Sequence, residues 1–228
     1  MSARPGQASG EGTGRDASRR GHGATGWSGP AAAGPVAAAP AMDQFRPRAQ
    51  EIVTVARQLL EEEGLDSFSM RRLADRLGVR APVIYKYFAS KSALVAALIS
   101  VGFEEQAALF EAALTSSDHP LTAMAGIYRA YGRDNPNLYR LMYDRDLERR
   151  LLLPGSEERA VIPAVQAAGG DRDLARAAWA FAHGMMILEL NNRFPADADL
   201  DAAWRRGMAS LDPSGGVSGL ERSGRGRE

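Results

Sequence analysis

From Arg48 to Glu63 the apolar side chains Ile52, Val55, Ala56, Leu59 and Leu60 recur every three or four positions, so they share one face of a helix, and Gly64 supplies a stop. A short second stripe, Leu73, Ala74 and Leu77, follows Ser69, whose hydroxyl can cap the free N–H groups of a helix start, and ends at Gly78. A third segment begins near Pro82, which suits a first turn because its missing N–H would have no partner there, and runs to about Phe88. Two short helices around Leu77-Gly78-Val79-Arg80 predict a helix-turn-helix. Longer helical patterns run through 91–114, 120–134, 157–168, 171–192 and 197–211. They are broken at Asp118-His119-Pro120, Asn135-Pro136, Pro154-Gly155, Gly169-Gly170 and Pro195. There is no strand alternation of useful length and no repeat, so the expected fold is all-α.

The pattern fades at both ends. Residues 1–41 hold nine of the 24 glycines and four of the 12 prolines, with Trp27 as their one aromatic, too little apolar surface to offset the entropy of ordering. This stretch is expected to be a disordered tail, and so is 212–228, leaving 42–90 and 91–211 as the folded units. Arg4, Arg15, Arg19 and Arg20 outnumber Glu11 and Asp16, so the first tail could touch phosphates, but the simpler reading is a dispensable extension, with Met42 as an alternative start.

Composition removes whole classes of chemistry. The chain of 228 residues has no cysteine, which excludes disulfides, thiolate metal sites and a cysteine nucleophile. His22, His119 and His183 lie far apart with no HxxxH or HExxH spacing, so no metal and no cofactor are expected. No GxSxG, phosphate-cradling loop or nucleophile–base constellation occurs, so an enzyme is not expected. No apolar run approaches a bilayer span and no signal-peptide core opens the chain, which points to a cytoplasmic protein without a membrane partner.

Charge is zero overall, yet it is unevenly spread. Ser69 to Lys91 carries Arg71, Arg72, Arg76, Arg80, Lys86 and Lys91 against Asp75, net +5, whereas 93–228 is net −4. A local basic patch is what docking on phosphates requires. On the third helix Ile84 and Phe88, four apart, point inward and leave Val83, Lys86 and Tyr87 outward, with Tyr85 at an edge. Ala81 and Pro82 are small enough for close approach to a major groove, where Val83 can meet a thymine methyl and Arg80 a guanine edge. Tyr85, Tyr87, Lys91 and the helix start at Ser69 to Arg71 suit phosphate oxygens. A solvated basic face with packed tyrosines is the competing reading of this window alone.

The run from Gly64 to Val95, with Leu73-Ala74, Leu77-Gly78-Val79, Ile84-Tyr85, Tyr87-Phe88 and Lys91 before Leu94, resembles the DNA-binding domain of the TetR family of transcriptional regulators over about 46–98. The resemblance implies an Ω-shaped homodimer with three DNA-binding helices and a larger helical ligand-binding and dimerisation domain in each subunit. It also implies a DNA-facing set of Ser69, Met70, Arg71, Arg80, Ala81, Pro82, Val83, Tyr85, Lys86, Tyr87 and Lys91. The family often has a second hydroxyl where Met70 stands, so that contact to phosphate is lost.

Tyr128 and Tyr131, the run Asn135 to Tyr143, and Trp179 with His183-Gly184 and Glu189 are similar to TetR C-terminal domains named for a Trp-His-Gly signature. This implies pairing of 171–192 and 197–211 across a twofold axis as a four-helix bundle. The near-continuous apolar run from Ala177 to Leu188 is compatible with that, and equally with a central helix buried in one subunit. Phe103, Ala107, Phe110, Tyr128, Tyr131, Met142, Trp179, His183 and Met186 are the candidate lining of a pocket for an unknown small-molecule effector, although such residues also make ordinary cores. His183 alternatively serves as a hydrogen-bonded structural residue. The expected function is a dimeric repressor on a palindromic operator, released by its ligand. A constitutive or architectural DNA-binding protein is the alternative.

Overall fold

The computed structural model describes residues 40–144 and 148–212; the expected tails at 1–39 and 213–228 lie outside the described residues. Among the described residues every regular element is helical. In chain order these are α1 (Pro40–Asp43), α2 (Pro47–Ser67), α3 (Met70–Arg76), α4 (Ala81–Tyr85), α5 (Lys91–Ser116), α6 (Pro120–Asp134), α7 (Pro136–Tyr143), a single 3-10 turn (Arg149–Leu151), α8 (Ser156–Ala167), α9 (Arg172–Leu190) and α10 (Leu200–Leu211).

Local chemistry sets most of the boundaries. Gly64 breaks α2 as expected, with φ +73° and ψ 169°, a conformation open to glycine alone, and one further turn leads to Phe68. The hydroxyls of Ser69 and Ser90 accept the N–H groups of Arg72 and Ala93 and so start α3 and α5. Asp171 caps α9, and Asp199 caps α10 three residues later than the 197 start that periodicity suggests. Helix α1 reaches into the stretch expected to be tail. Helix α7 was not anticipated: it begins one residue after α6 ends, with Asn135 serving both as the last cap and the first.

Helix α5 organises everything else. It is apolar and long enough to cross a membrane, contrary to the expectation that no run approaches that length, but 72% of its apolar window is buried inside the protein. Its first half joins a core with Ile52, Val53, Leu59 and Leu60 of α2, Leu73 of α3, Ile84 of α4 and Leu138 of α7. Its second half, with Phe110 and Ala113, belongs to another core that takes in α6, Ala178, Ala182 and Met186 of α9, and Trp204 and Met208 of α10.

Two buried polar residues of α5 are answered from its neighbours, as burial demands. The Ser100 hydroxyl accepts the Leu153 N–H at 2.9 Å, and the buried Glu104 carboxylate takes the guanidinium of Arg159 from α8. Close helix contacts depend on glycines. A Cβ at Gly102 would lie 2.6 Å from the Met142 sulfur, and one at Gly207 would collide with the Phe181 ring.

Helices α6, α9 and α10 are pinned together by one buried arginine. Arg129 of α6 donates to both Glu189 oxygens of α9 at 2.9 and 3.1 Å and to Asp201 of α10 at 2.5 Å, and its guanidinium stacks over Trp204. Removing it leaves the mostly buried Glu189 with only the distant Arg133 guanidinium at 3.9 Å and the Trp204 indole N–H at 3.2 Å. Arg129→Ala should therefore cost about 3 kcal/mol or more of unfolding free energy in urea denaturation; a loss below about 1 kcal/mol, the level of a surface pair, would refute this role.

Candidate DNA interface and helical cavity

The turn between α3 and α4 is built by backbone bonds. Gly78 sits at φ +64°, the Val79 N–H reaches the Ala74 carbonyl at 2.9 Å and the Gly78 N–H reaches Asp75 at 3.2 Å, which closes α3 and redirects the chain. Ile84 and Phe88 enter the core, Phe88 against Phe45 at 6.0 Å between ring centres. Pro82, Tyr85, Lys86 and Tyr87 are left exposed, the two tyrosines by 48% and 39%, while Ala81 and Val83 are half-buried at the base of that ridge.

One member of the DNA-facing set turns the other way. Met70 is buried in the core beside Phe68 and Leu73, because an apolar side chain in the first turn of α3 has a packed interior within reach. It can offer only its backbone N–H to an outside partner. Ser69 is half-buried and its hydroxyl oxygen is already a cap acceptor. Lys91 is exposed, with its ammonium donating to the Phe68 carbonyl at 2.6 Å and lying over the Phe68 ring.

The basic patch divides into two kinds of cation. Arg72 pairs with Glu63 at 2.6 Å, and Arg76 with both oxygens of Glu62 at 2.5 and 2.7 Å, so these two arginines bind α3 to α2. Arg71, Arg80 and Lys86 make no ion pair among the described residues and are exposed, and all three belong to the expected DNA-facing set.

Helix α2 also holds the other half of the chain. Arg57 pairs with Glu105 of α5 and donates to the Asn135 side-chain oxygen at 2.7 Å, while the Tyr131 hydroxyl donates to the second Glu105 oxygen at 2.8 Å. The Glu61 carboxylate accepts the backbone N–H groups of Asn137 at 3.1 Å and Leu138 at 2.8 Å. These are free donors at the start of α7, where a negative charge is also favoured by the helix dipole.

At its other end α7 opens onto a cavity of about 580 Å³ between α5, α6, α8 and α9. Six of the nine expected lining residues meet there: Phe103, Phe110, Tyr128, Met142, Trp179 and His183. Ala107 is buried outside the lining; Tyr131 is turned toward Glu105 and Arg57; Met186 is wholly enclosed, lodged where Gly132 leaves room. Helical spacing identifies buried faces but does not say which neighbour each residue meets, and those three were misplaced for that reason. Gln106, Tyr143, Val161 and Arg172 were missed. Gln106 did leave a signal, an amide three residues after Phe103 inside an otherwise apolar stripe.

Polar atoms along one wall bond to one another. Tyr139 donates to the Tyr128 oxygen at 2.9 Å and lies 2.8 Å from His183 Nδ1, and Tyr143 donates to the Gln106 side-chain oxygen at 2.6 Å. Burial raises the pKa of Tyr128, Tyr139 and Tyr143, which keeps their hydroxyls neutral, and burial lowers that of His183 against a smaller opposing pull from Asp144. The His183 ring stacks with Trp179 and Tyr139, so it is a structural member of the wall as well as a lining residue.

The far side of α9 is only partly covered among the described residues: Phe181 packs edge-on against Trp204 and over Gly207 of α10, while Ala177, Ala180 and Leu188 stay exposed. Ala175, Ala178, Ala182 and Met186 are buried, whereas Ala177, Ala180, Phe181, Gly184, Met185 and Leu188 form a second apolar stripe that is exposed or half-exposed.

Two family models match the chain: bacterial regulatory proteins, tetR family, over residues 52–98, and the tetracyclin repressor-like C-terminal domain over residues 121–211. The class A tetracycline repressor protein from transposon 1721 of Escherichia coli is 45% identical over 47 residues, which cover 21% of this chain and 22% of that protein's length. An uncharacterized HTH-type transcriptional regulator of Mycobacterium tuberculosis is 27% identical over 183 residues, covering 76% of this chain and 81% of the relative. A solved structure of a protein of unknown function from Rhodococcus sp. RHA1 shares the fold at TM-score 0.59 and 24% identity, over 73% of this chain and 94% of that one.

Two outcomes are expected. Replacing Arg71 or Lys86 by alanine should lower the slope of log affinity against log salt for DNA by about 1, whereas Arg76→Ala, which removes an arginine already neutralised by Glu62, should leave it unchanged; equal slopes for all three variants would contradict the division of the patch. The second concerns pH. Because the folded chain resists protonating His183, the unfolded chain takes up a proton that the folded one refuses, so stability is full above the ordinary imidazole value of 6.5 and is eroded as pH falls through it. His183→Gln should flatten the dependence of the urea midpoint between about pH 8 and about pH 5; an unchanged dependence would assign it to other groups.

Proposed function

Because the chain belongs to the TetR family of bacterial regulators, helix-turn-helix transcriptional regulators that bind DNA, we propose that it acts as a repressor: a homodimer that grips a palindromic operator and lets go when a small molecule fills the cavity. The observation that carries this reading is the coexistence of an exposed reading surface with uncommitted cations and a cavity that share one buried helix, α5. A relative 45% identical over 47 residues of the reading segment is named as a tetracycline repressor, which favours repression. The family is one of regulators, and no catalytic role is proposed. A cytoplasmic location follows from work on chromosomal DNA.

In this reading 42–90 is the reading head and 91–211 the sensing and pairing domain. Arg80 and Val83 read base edges. Tyr85, Tyr87, Lys86, Lys91, Arg71 and the N–H groups at Ser69 and Met70 hold phosphates, with Ala81 and Pro82 allowing close approach. The apolar stripe of α9 from Ala177 to Leu188 finds its cover in the same helix of a second copy, with α10 completing a four-helix bundle. Ligand in the cavity presses on Phe103 and Phe110 of α5 and on Met142 and Tyr143 of α7. Helix α5 follows the reading head directly, and α7 is tied to it through Glu61. Both routes change the separation of two recognition helices that must meet half-sites about 34 Å or a multiple apart.

Selection from randomised DNA with the full chain tests the proposal. An inverted repeat should emerge, and Arg80→Ala should keep the repeat and its spacing while flattening preference at one base pair in each half-site, a loss of about 1–3 kcal/mol of discrimination. Enrichment of a single unrepeated site, or an unaltered preference order in the variant, would overturn the dimeric reading or the role of Arg80 respectively.

A further inference from the structure

The cavity wall contains one hydrogen-bonding group whose needs the protein does not meet. Gln106 is 1% exposed and its side-chain oxygen is taken by the Tyr143 hydroxyl, but its amide nitrogen has no partner among the described residues. Elsewhere the buried polar groups of α5 are paired: Ser100 with Leu153, Glu104 with Arg159, and Glu105 with Arg57 and Tyr131. A buried amide donor without a partner is costly, and the cost is recovered when an acceptor arrives. With its oxygen engaged by Tyr143, the N–H2 is the end of the amide on offer.

The rest of the lining restricts what can bring that acceptor. Phe103, Phe110, Tyr128, Tyr143 and Trp179 supply ring faces and edges to a flat apolar body. On α9 the lining positions 172, 175, 176, 179 and 183 follow one face for about 16 Å at the rise of a helix. Charged side chains occur where the wall meets water, and they are largely compensated: Arg149 by Glu157, and Arg176 by Asp173, with Arg172 exposed at the start of α9. A cation lodged among the rings would meet no free counter-charge, and an anion would find one only at Arg172 on the rim, away from the rings and Gln106. A cation could use the ring faces, yet it would leave the Gln106 N–H2 unsatisfied.

We infer that the effector of this cavity is a neutral, flat, largely aromatic molecule carrying a carbonyl-type oxygen that accepts from the Gln106 side-chain amide. This rests on the reading of the cavity as the effector site. Gln106 is then the specificity-determining residue, and the rings are the general apolar bed. The volume of about 580 Å³ suits a ligand of drug size.

Three probes separate the possibilities by equilibrium dialysis against the full-length protein: fluorenone, its carbonyl-free counterpart fluorene, and the cation N-methylacridinium. Fluorenone should bind about tenfold more tightly than fluorene, the effect of one buried hydrogen bond, and N-methylacridinium more weakly than either. Gln106→Leu should erase the preference for fluorenone while keeping fluorene, and Trp179→Ala should weaken both neutral probes. Equal binding of the two neutral probes, tightest binding of the cation, or a preference that survives Gln106→Leu would overturn the inference. In each of those cases the cavity itself stands if Trp179→Ala still weakens the probes. Should no probe respond to Trp179→Ala, the reading of the cavity as a binding site fails, and the inference with it. The ordering of probes on the unaltered protein decides the matter even if Gln106→Leu does not fold.

Discussion

Burial of α5 on nearly every side is the constraint from which the rest of the structure follows. A helix in that position cannot bend toward solvent or trade one set of neighbours for another without opening a core, because interiors are packed as densely as crystals. Its first turns are gripped by the reading head and its later turns line the cavity, so the two sites are parts of one solid body. The paired polar residues along it, Ser100 with Leu153, Glu104 with Arg159 and Glu105 with Arg57, fix its rotation as well as its position. Hydrophobic packing alone would leave that rotation less sharply defined.

The same economy governs the charges. A count along the sequence makes the reading head strongly basic, but Glu62 and Glu63 take up two of its arginines to hold α3 against α2. What remains for a partner is a small number of cations on one ridge, flanked by two exposed tyrosines. Fewer free charges mean a smaller share of affinity that ignores sequence, which leaves more of the binding to groove contacts.

Features decided within a few residues were legible in the sequence. Ser69, Gly78 and Pro82 act through caps, a left-handed turn and a missing N–H, all of them local, and the helix-turn-helix they define is present. Features decided by distant partners were not. Helix α7 is eight residues long and its first N–H groups are capped by a carboxylate more than seventy positions earlier, beyond any window of periodicity. Met70 illustrates the same limit: its place in the chain suggests the outer face, while a nearby packed interior draws it inward. In the cavity, spacing found six of the lining residues, but Tyr131 and Met186 were claimed by other neighbours, and Gln106 passed unremarked within a stripe otherwise apolar at helical spacing.

The capping of α7 by Glu61 bears on how far the two halves can be treated as modules. The carboxylate belongs to α2, in the helix-turn-helix half, yet the helix it completes lies in the half that surrounds the cavity. A chimera that grafts a foreign head onto this C-terminal half would begin that helix unfinished unless the donor brings an acidic side chain to the same place. Interchangeability within this architecture is thus set less by the linker than by one residue on the far side of the joint.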